Sequence, residues 1–371
     1  MGYLGEEIKK LGFGLMRLPM NGEEIDMEQT KKMVDHFMSK GFTYFDTAYV
    51  YIGGKSEVAL KEAVVDRYPR ESFQTATKLP MFALENRDDM ERIFKESCDR
   101  AGLEYYDFYL LHALGKESFE KSERVGAWDY LKELKAAGKI RHMGFSFHDS
   151  AEVLEEILSK HPETEFVQLQ INYADWESDS VQARKCYEVA RKYNVPIIIM
   201  EPVKGGSLAM MTPEVQDVLK QANPDASLAS WAMRYAASLD GIITVLSGMS
   251  NMEQTEDNVS YMENFEYLTG DERKTIDKAV EMLNKIPTIP CTSCKYCVDD
   301  CPQKINIPEI FGVTNFYLTY QNKAGCSWQY NNAIKDRGVP SDCIACGVCE
   351  SRCPQHIEII EELAKAVQIF E

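Results

Sequence analysis

The 371-residue chain has no apolar run approaching the roughly 18–20 residues that a bilayer-spanning helix needs, so a helical membrane protein is not expected. Its opening, "MGYLGEEIKK", has early acidic residues and no apolar core, so a secretory leader is not expected there. No Ser or Thr stands where a myristoylated Gly2 would require one. Positive charge is in deficit: 59 acidic against 41 basic residues give a net charge of −18. Nucleic acid and anionic membrane surfaces both need a basic face and are therefore not expected partners. Low-complexity tracts are missing. So is any G-x-G-x-x-G joining a strand to a helix, which removes the usual signal of a dinucleotide-binding doubly wound sheet. What remains is a globular, cytoplasmic protein, longer than one ordinary domain and expected to hold a large and a small one.

Cysteine is the abundant exception. Eleven are present, eight of them in "CTSCKYCVDDCP" (291–302) and "CIACGVCESRCP" (343–354), with Cys98, Cys186 and Cys326 outside the runs. A disulfide framework suits a short secreted chain, and this is neither, so the two runs are read as metal-binding or redox groups.

Ahead of the runs, short apolar stretches alternate with helical patterns. Strands are expected over 11–16, 42–46, 73–78, 107–112, 140–146, 166–172, 195–200 and 241–247, all rich in β-branched and aromatic residues. Helices are expected between them, near 56–65, 87–101, 123–137, 150–160, 178–193 and 226–238. The first helix is introduced by Asp26 with Gln29, carries a Met33–Val34–Phe37–Met38 stripe and stops at Gly41. Eight such units predict an α/β fold of the (β/α)₈ TIM-barrel type, with a doubly wound sheet as the alternative. Function in a barrel lies at the C-terminal strand ends, here Asp46, Lys78, His112, Ser146, Gln170 and Met200. Singly, each has an ordinary structural explanation, such as a buried His with a partner or an Asp capping a helix. Together they converge on one rim.

"FDTAYVY" (45–51), "TK" (77–78) and "LLH" (110–112) resemble the aldo/keto reductase superfamily, over roughly residues 1–265. The resemblance implies a catalytic set of Asp46, Tyr51, Lys78 and His112. Chemistry supports those residue types independently. Carbonyl reduction by hydride leaves a developing alkoxide that must be protonated, and free tyrosine, with a pKa near 10, is a sluggish donor at neutral pH. A nearby lysine is expected to lower that pKa and an aspartate to hold the lysine, while the histidine orients the carbonyl oxygen. The resemblance also implies nicotinamide contacts from Ser146 and Gln170, a covering loop at "MEPVKGG" with Met200 and Pro202, and a nucleotide segment at "SGMSNMEQTEDN" with Gly248, Gln254, Asp257 and Asn258. Three positions depart from the family: Phe147 replaces an asparagine, Met200 an aromatic residue, and Gln254 an arginine. NADPH and NADH therefore both stay open. Arg17 and Trp176 are candidates for lining the substrate pocket.

C-x₂-C-x₂-C-x₃-C-P is the bacterial ferredoxin spacing for 4Fe–4S clusters, in which the fourth cysteine serves the other cluster. Cys291, Cys294, Cys297 and Cys353 are thus assigned to one cluster and Cys343, Cys346, Cys349 and Cys301 to the other. Structural zinc, the alternative, normally takes separated C-x₂-C pairs. The repeat continues as "CPQKINI" against "CPQHIEI", as two related halves of a small, mainly helical ferredoxin-like domain would. Cys326 is expected to be a buried thiol. The stripe Ile310, Phe311, Phe316, Tyr317 and Tyr320 is expected to pack this domain onto itself or onto the barrel. Prolines in "NKIPTIP" place the boundary so that 1–285 is the barrel and 286–371 the cluster domain.

The leading expectation is an oxidoreductase that reduces a small carbonyl substrate with NADPH or NADH, fused to two 4Fe–4S clusters and working in a low-oxygen cytoplasm. The alternative is an electron-transfer protein whose barrel has little nicotinamide activity. Single-electron clusters beside two-electron hydride chemistry call for a converter such as a flavin, for which the sequence has no motif, or for a substrate that tolerates radicals; a redox-protein partner is a further candidate.

Overall fold

The computed structural model describes residues 3–371. By packing, the chain forms two compact units, Met1–Val203 with Ala229–Gly270, and Lys204–Leu228 with Asp271–Glu371. The expected boundary kept 204–228 and 271–285 with the barrel; in the structure both pack with the cysteine-rich region.

The first unit is a closed barrel of parallel strands: β1 (Leu11–Gly14), β2 (Tyr44–Asp46), β3 (Gln74–Pro80), β4 (Tyr106–Leu114), β5 (Ile140–Phe147), β6 (Phe166–Gln170), β7 (Ile197–Met200) and β8 (Ile242–Ser247). Each pairs with its neighbours in sequence, and β1 closes the ring against β8. All eight expected strands are present. A short hairpin, Met20–Asn21 with Glu24–Ile25, was not foreseen, because two-residue strands carry no periodic signal. The helix expected over 123–137 divides at Gly126, whose φ of +72° is left-handed and ends the first piece.

Local chemistry explains the helix ends. Asp26 Oδ1 accepts the backbone N–H of Gln29, and the buried faces of Met33, Val34 and Phe37 turn Met27–Ser39 onto the strands. Inside the ring, Tyr44, Ala76, Phe108, Leu110, Phe166, Ile198, Ile243 and Leu246 form one apolar core. Side chains on a strand alternate between faces. Asp46 is two residues beyond Tyr44, Lys78 two beyond Ala76, and His112 two beyond Leu110. The polar residues thus continue the inward-facing rows and crown the apolar layers at the C-terminal rim.

The second unit contains the helices Ile307–Tyr320, Lys323–Ile334, Val348–Arg352 and Ile359–Phe370. Its principal core joins Ile289, Ile305, Ile307, Ile310, Phe311, Ile357, Ile359 and Leu363 to the cysteine loops. The expected aromatic stripe packs within this unit: Ile310 and Phe311 are buried, Phe316 lies tilted against Tyr320, and Tyr317 meets Phe370. Among the described residues, no helix is long and apolar enough to cross a membrane.

Candidate active site and cluster loops

At the rim of the barrel, Lys78 Nζ donates to Asp46 Oδ1 at 2.6 Å and to the Thr47 carbonyl at 2.7 Å. Lys78 and Asp46 are only 1% and 3% exposed. A buried ion pair is tolerated when further hydrogen bonds satisfy the charges, and here the backbone carbonyl supplies one. The ammonium lies 4.9 Å from the centroid of the Tyr51 ring. The His112 ring stands edge-on to Tyr51, with centroids 5.9 Å apart. Asp46, Tyr51, Lys78 and His112 are therefore brought together.

The electrostatics differ from the expectation at one point. Burial pushes the Tyr51 phenol above its ordinary value, and Asp46 adds to this, so the lowering by Lys78 does not prevail. Desolvation, which no sequence pattern reports, decides the sign. Tyr51 is therefore a protonated phenol at neutral pH, the form a proton donor must have. Burial works to lower the Lys78 ammonium, but Asp46 and Tyr51 carry it above its usual range. Burial raises Asp46 against the pull of Lys78. A 2.6 Å contact inside the barrel holds the pair ionised. His112 is lowered to about 3 by burial, by Lys78 and by His148, so it is neutral at working pH. Its Nδ1 and Asp46 Oδ2 are buried without partners among the described residues, two polar atoms left for a bound molecule or water to satisfy.

The expected nucleotide contacts are placed as follows. Ser146 Oγ accepts the Ala113 N–H at 2.8 Å, which leaves its own proton to donate. Gln170 Nε2 donates to Asp175 Oδ2 at 3.2 Å. Asp175 also holds Asn172 Nδ2 at 2.8 Å, and Asn172 Oδ1 accepts the Asp175 N–H in return. Sequence reading missed Asp175; the Asn-x-x-Asp spacing of 172–175 was its only signal. Phe147 is buried in the layer between strands and helices. With His148, Gln170 and Cys186 it lines a cavity beyond the ends of β5 and β6. Met200 ends β7 and is half-buried, followed by buried Pro202. Arg17 lies across Gly248, where an added Cβ would come within 3.2 Å of its Cδ.

The adenosine-side residues are engaged within the fold. Gln254 Oε1 accepts the Ser250 N–H at 2.8 Å. Asn258 Nδ2 donates to Ser247 Oγ at 2.7 Å, and its Oδ1 accepts from Tyr261. Asp257 lies one residue before Asn258 on the same helix, Met252–Met262. No Lys or Arg occurs in 247–258. Trp176, offered as a pocket residue, packs against Tyr187 and Tyr235.

The cysteine loops repeat one another residue by residue. Ser293 and Ala345 have φ of 54° and 53°, Lys295 and Gly347 of 66° and 74°, and Lys304 and His356 of 56° and 52°. Left-handed backbone at three matched positions, five of the six residues non-glycine, is a costly conformation unless something fixes it. Each run has the same exposure pattern: first and fourth cysteine half-buried, second exposed, third buried. One cavity is lined by Cys291, Cys294, Cys297 and Cys353, the other by Cys343, Cys346, Cys349 and Cys301, and Ile307 lines both. This is the crossed grouping expected from the spacing. Among the described residues, no three His, Cys, Asp or Glu side chains converge on a single-ion position. Cys326 is fully buried and lines neither cavity.

Comparison with known proteins agrees with this geometry. Residues 10–281 match the family described as "Aldo/keto reductase family", and residues 290–358 match "4Fe-4S dicluster domain". The chain is 29% identical over 219 residues to "Probable aldo-keto reductase 1" of Glycine max, covering 56% of this chain and 59% of that protein. It therefore spans less than two thirds of that relative. It is 23% identical over 308 residues to L-galactose dehydrogenase of Arabidopsis thaliana, covering 78% and 95%. Among solved structures, the holo form of an aldo-keto reductase from Bacillus halodurans superposes with a TM-score of 0.62 at 24% identity, covering 75% of this chain and 95% of that one. An aldo-keto reductase from Klebsiella pneumoniae in complex with NADPH gives 0.58 at 20% identity, covering 73% and 90%.

Proposed function

This chain belongs to the aldo/keto reductase family and carries a 4Fe–4S dicluster domain, and we propose that it reduces the carbonyl of a small molecule, with the clusters moving electrons to or from a redox partner in a reducing cytoplasm. The observation that carries this reading is the buried Asp46–Lys78 pair set against the Tyr51 ring beneath a neutral His112.

Tyr51 is the general acid. It holds its proton at neutral pH and delivers it to the oxygen as negative charge develops there. The Lys78 ammonium then stabilises the phenolate left behind, and Asp46 fixes that ammonium in direction and charge. His112, neutral, hydrogen-bonds the carbonyl oxygen and sets its approach to the phenol. Nicotinamide dinucleotide, when bound, supplies the hydride. Ser146 and Gln170 are the residues that would hold its carboxamide, with Met200 and Pro202 covering it. Gly248, Gln254, Asp257 and Asn258 would meet the adenosine end. The free Ser146 proton fits that group at the nicotinamide end. At the adenosine end the engaged amides and the lack of a cation leave NADPH and NADH to be separated by measurement. Cys291, Cys294, Cys297 and Cys353 would hold one 4Fe–4S cluster and Cys343, Cys346, Cys349 and Cys301 the other, each supplying single-electron transfer.

The tied-up Asn258 and Gln254 favour a second reading, an electron carrier whose barrel binds nicotinamide weakly. Anaerobic titration with NADPH and NADH, following nucleotide binding and the absorbance near 400 nm, separates the two. Binding with turnover of an activated aldehyde such as 4-nitrobenzaldehyde supports the first, and Tyr51→Phe should then lower kcat by about 10²–10⁴ with unchanged nucleotide affinity. Near-normal turnover in that variant would remove Tyr51 from its role.

A further inference from the structure

Tyr51 rides on a loop whose backbone is strained. Ile52, Gly53 and Gly54 are three successive left-handed residues, with φ of 50°, 62° and 87°. The Tyr51 N–H donates to the Ala48 carbonyl at 3.0 Å, and the Lys55 N–H reaches back to the Tyr51 and Ile52 carbonyls. Lys78 anchors the inner end of the loop through the Thr47 carbonyl, Thr47 Oγ1 shares a 2.6 Å hydrogen bond with Ser56 Oγ, and the outer turn at Tyr49 has an anchor of its own.

That anchor is Arg100, on the last turn of the helix Arg87–Ala101. Its Nη1 donates to the Tyr49 carbonyl at 3.1 Å, and its guanidinium lies 4.3 Å above the Tyr49 ring. The same Nη1 is 3.4 Å from Glu57 Oε2, and Nη2 is 3.6 Å from Glu96 Oε2, which also accepts from the Tyr49 hydroxyl. Glu57 is fully buried, and its other oxygen accepts from Thr77 Oγ1 at 2.8 Å. Thr77 immediately precedes Lys78 and faces away from the barrel interior. One guanidinium therefore ties the turn carrying the phenol to the strand carrying the ammonium, from the outer side. Gly54 makes room for it: a Cβ there would stand 2.8 Å from Arg100 Nη1.

We infer that Arg100, seated on Glu57, is a positioning residue that sets the distance between the Tyr51 phenol and the Lys78 ammonium. The inference rests on the reading of Tyr51 as proton donor. A planar fork suits this task because it reaches a carbonyl, a carboxylate and a ring at once, which an ammonium cannot do. Uncoupling it lets the left-handed turn relax and takes the phenol from the charge that stabilises its conjugate base.

The test uses the full chain with its clusters loaded and 4-nitrobenzaldehyde as probe. Arg100→Met should lower kcat about thirtyfold while the nucleotide Kd stays within twofold, and amide exchange over 47–56 should rise at least tenfold with the rest of the barrel unchanged. Arg100→Lys should recover part of kcat. Because Arg100→Met leaves Glu57 buried and unpaired, the double variant Glu57→Gln/Arg100→Met is the control. It restores charge balance but not the grip on Tyr49, so its kcat should stay low. Wild-type kcat in Arg100→Met, full recovery in the double variant, or parallel loss of kcat and nucleotide binding would each overturn the inference. A wild-type protein that binds nucleotide but never turns over the aldehyde fails earlier, at the reading of Tyr51, and takes the inference with it.

Discussion

The barrel rim and the cysteine loops solve the problem of holding reactive groups in opposite ways. At the rim, the charged groups are fixed by the protein alone. Lys78 is held by two oxygens, Asp46 sits in an apolar barrel, and the strand register delivers both. In the cysteine loops, half the thiols are partly buried, one pair is exposed, and the backbone is bent left-handed at matched places. The apolar residues beneath them include the two short isoleucine repeats, Ile305 with Ile307 and Ile357 with Ile359. The rim is preorganised; on the proposed reading, the clusters complete the loops.

Iron removal should break this comparison most visibly. A chelator with a reductant should abolish the absorbance near 400 nm and strip amide protection from 289–371, while protection across β1–β8 survives, because metal binding in such sites supplies folding free energy. Equal protection of both regions after iron loss would show the loops to be self-sufficient. A smaller effect should follow from Cys353→Ala. The crossed lining predicts loss of the cluster held by Cys291, Cys294 and Cys297, not that of its own run, leaving about half the iron by stoichiometry and a single cluster signal in electron paramagnetic resonance. The smallest effect concerns the rim. With His112 lowered to about 3 from 6.5, the unfolded chain binds a proton across that window which the folded barrel refuses. Stability should therefore fall as pH drops from 6.5 towards 3, and denaturant midpoints measured over that range should follow it; His112→Gln should flatten the slope. Turnover should show no His112 limb between pH 5 and 8.

Much of the rim was legible because it rests on short-range rules. Alternation along a strand turns Asp46, Lys78 and His112 inward once the strands are placed, and cysteine spacing alone dictates the crossed grouping. What could not be read depends on three-dimensional burial or on distant partners. The sign of the Tyr51 shift follows from desolvation in the barrel mouth. Arg100 meets Tyr49 and Glu57 across 51 and 43 residues of chain, with nothing local to announce it. Engagement of Asn258 by Ser247 and Tyr261 is likewise a tertiary event at a position that resembled a nucleotide contact. Residues 204–228 read as part of the barrel because they follow β7, yet their burial partners lie after residue 270.

That last placement limits how such a molecule can be cut or built. The backbone passes from one unit to the other three times, at 203–204, 228–229 and 270–271. Within the second unit, Ser207 takes a hydrogen bond from Asn322 Nδ2 at 3.2 Å, and Lys204 lies 5.6 Å from the centre of the Tyr320 ring. A gene truncated at codon 285 would thus encode a barrel with a raw insert, its Ser207 unpaired. A second unit whose chain interrupts the first in this way is no detachable cassette; grafting it onto another barrel means transplanting the insert with it.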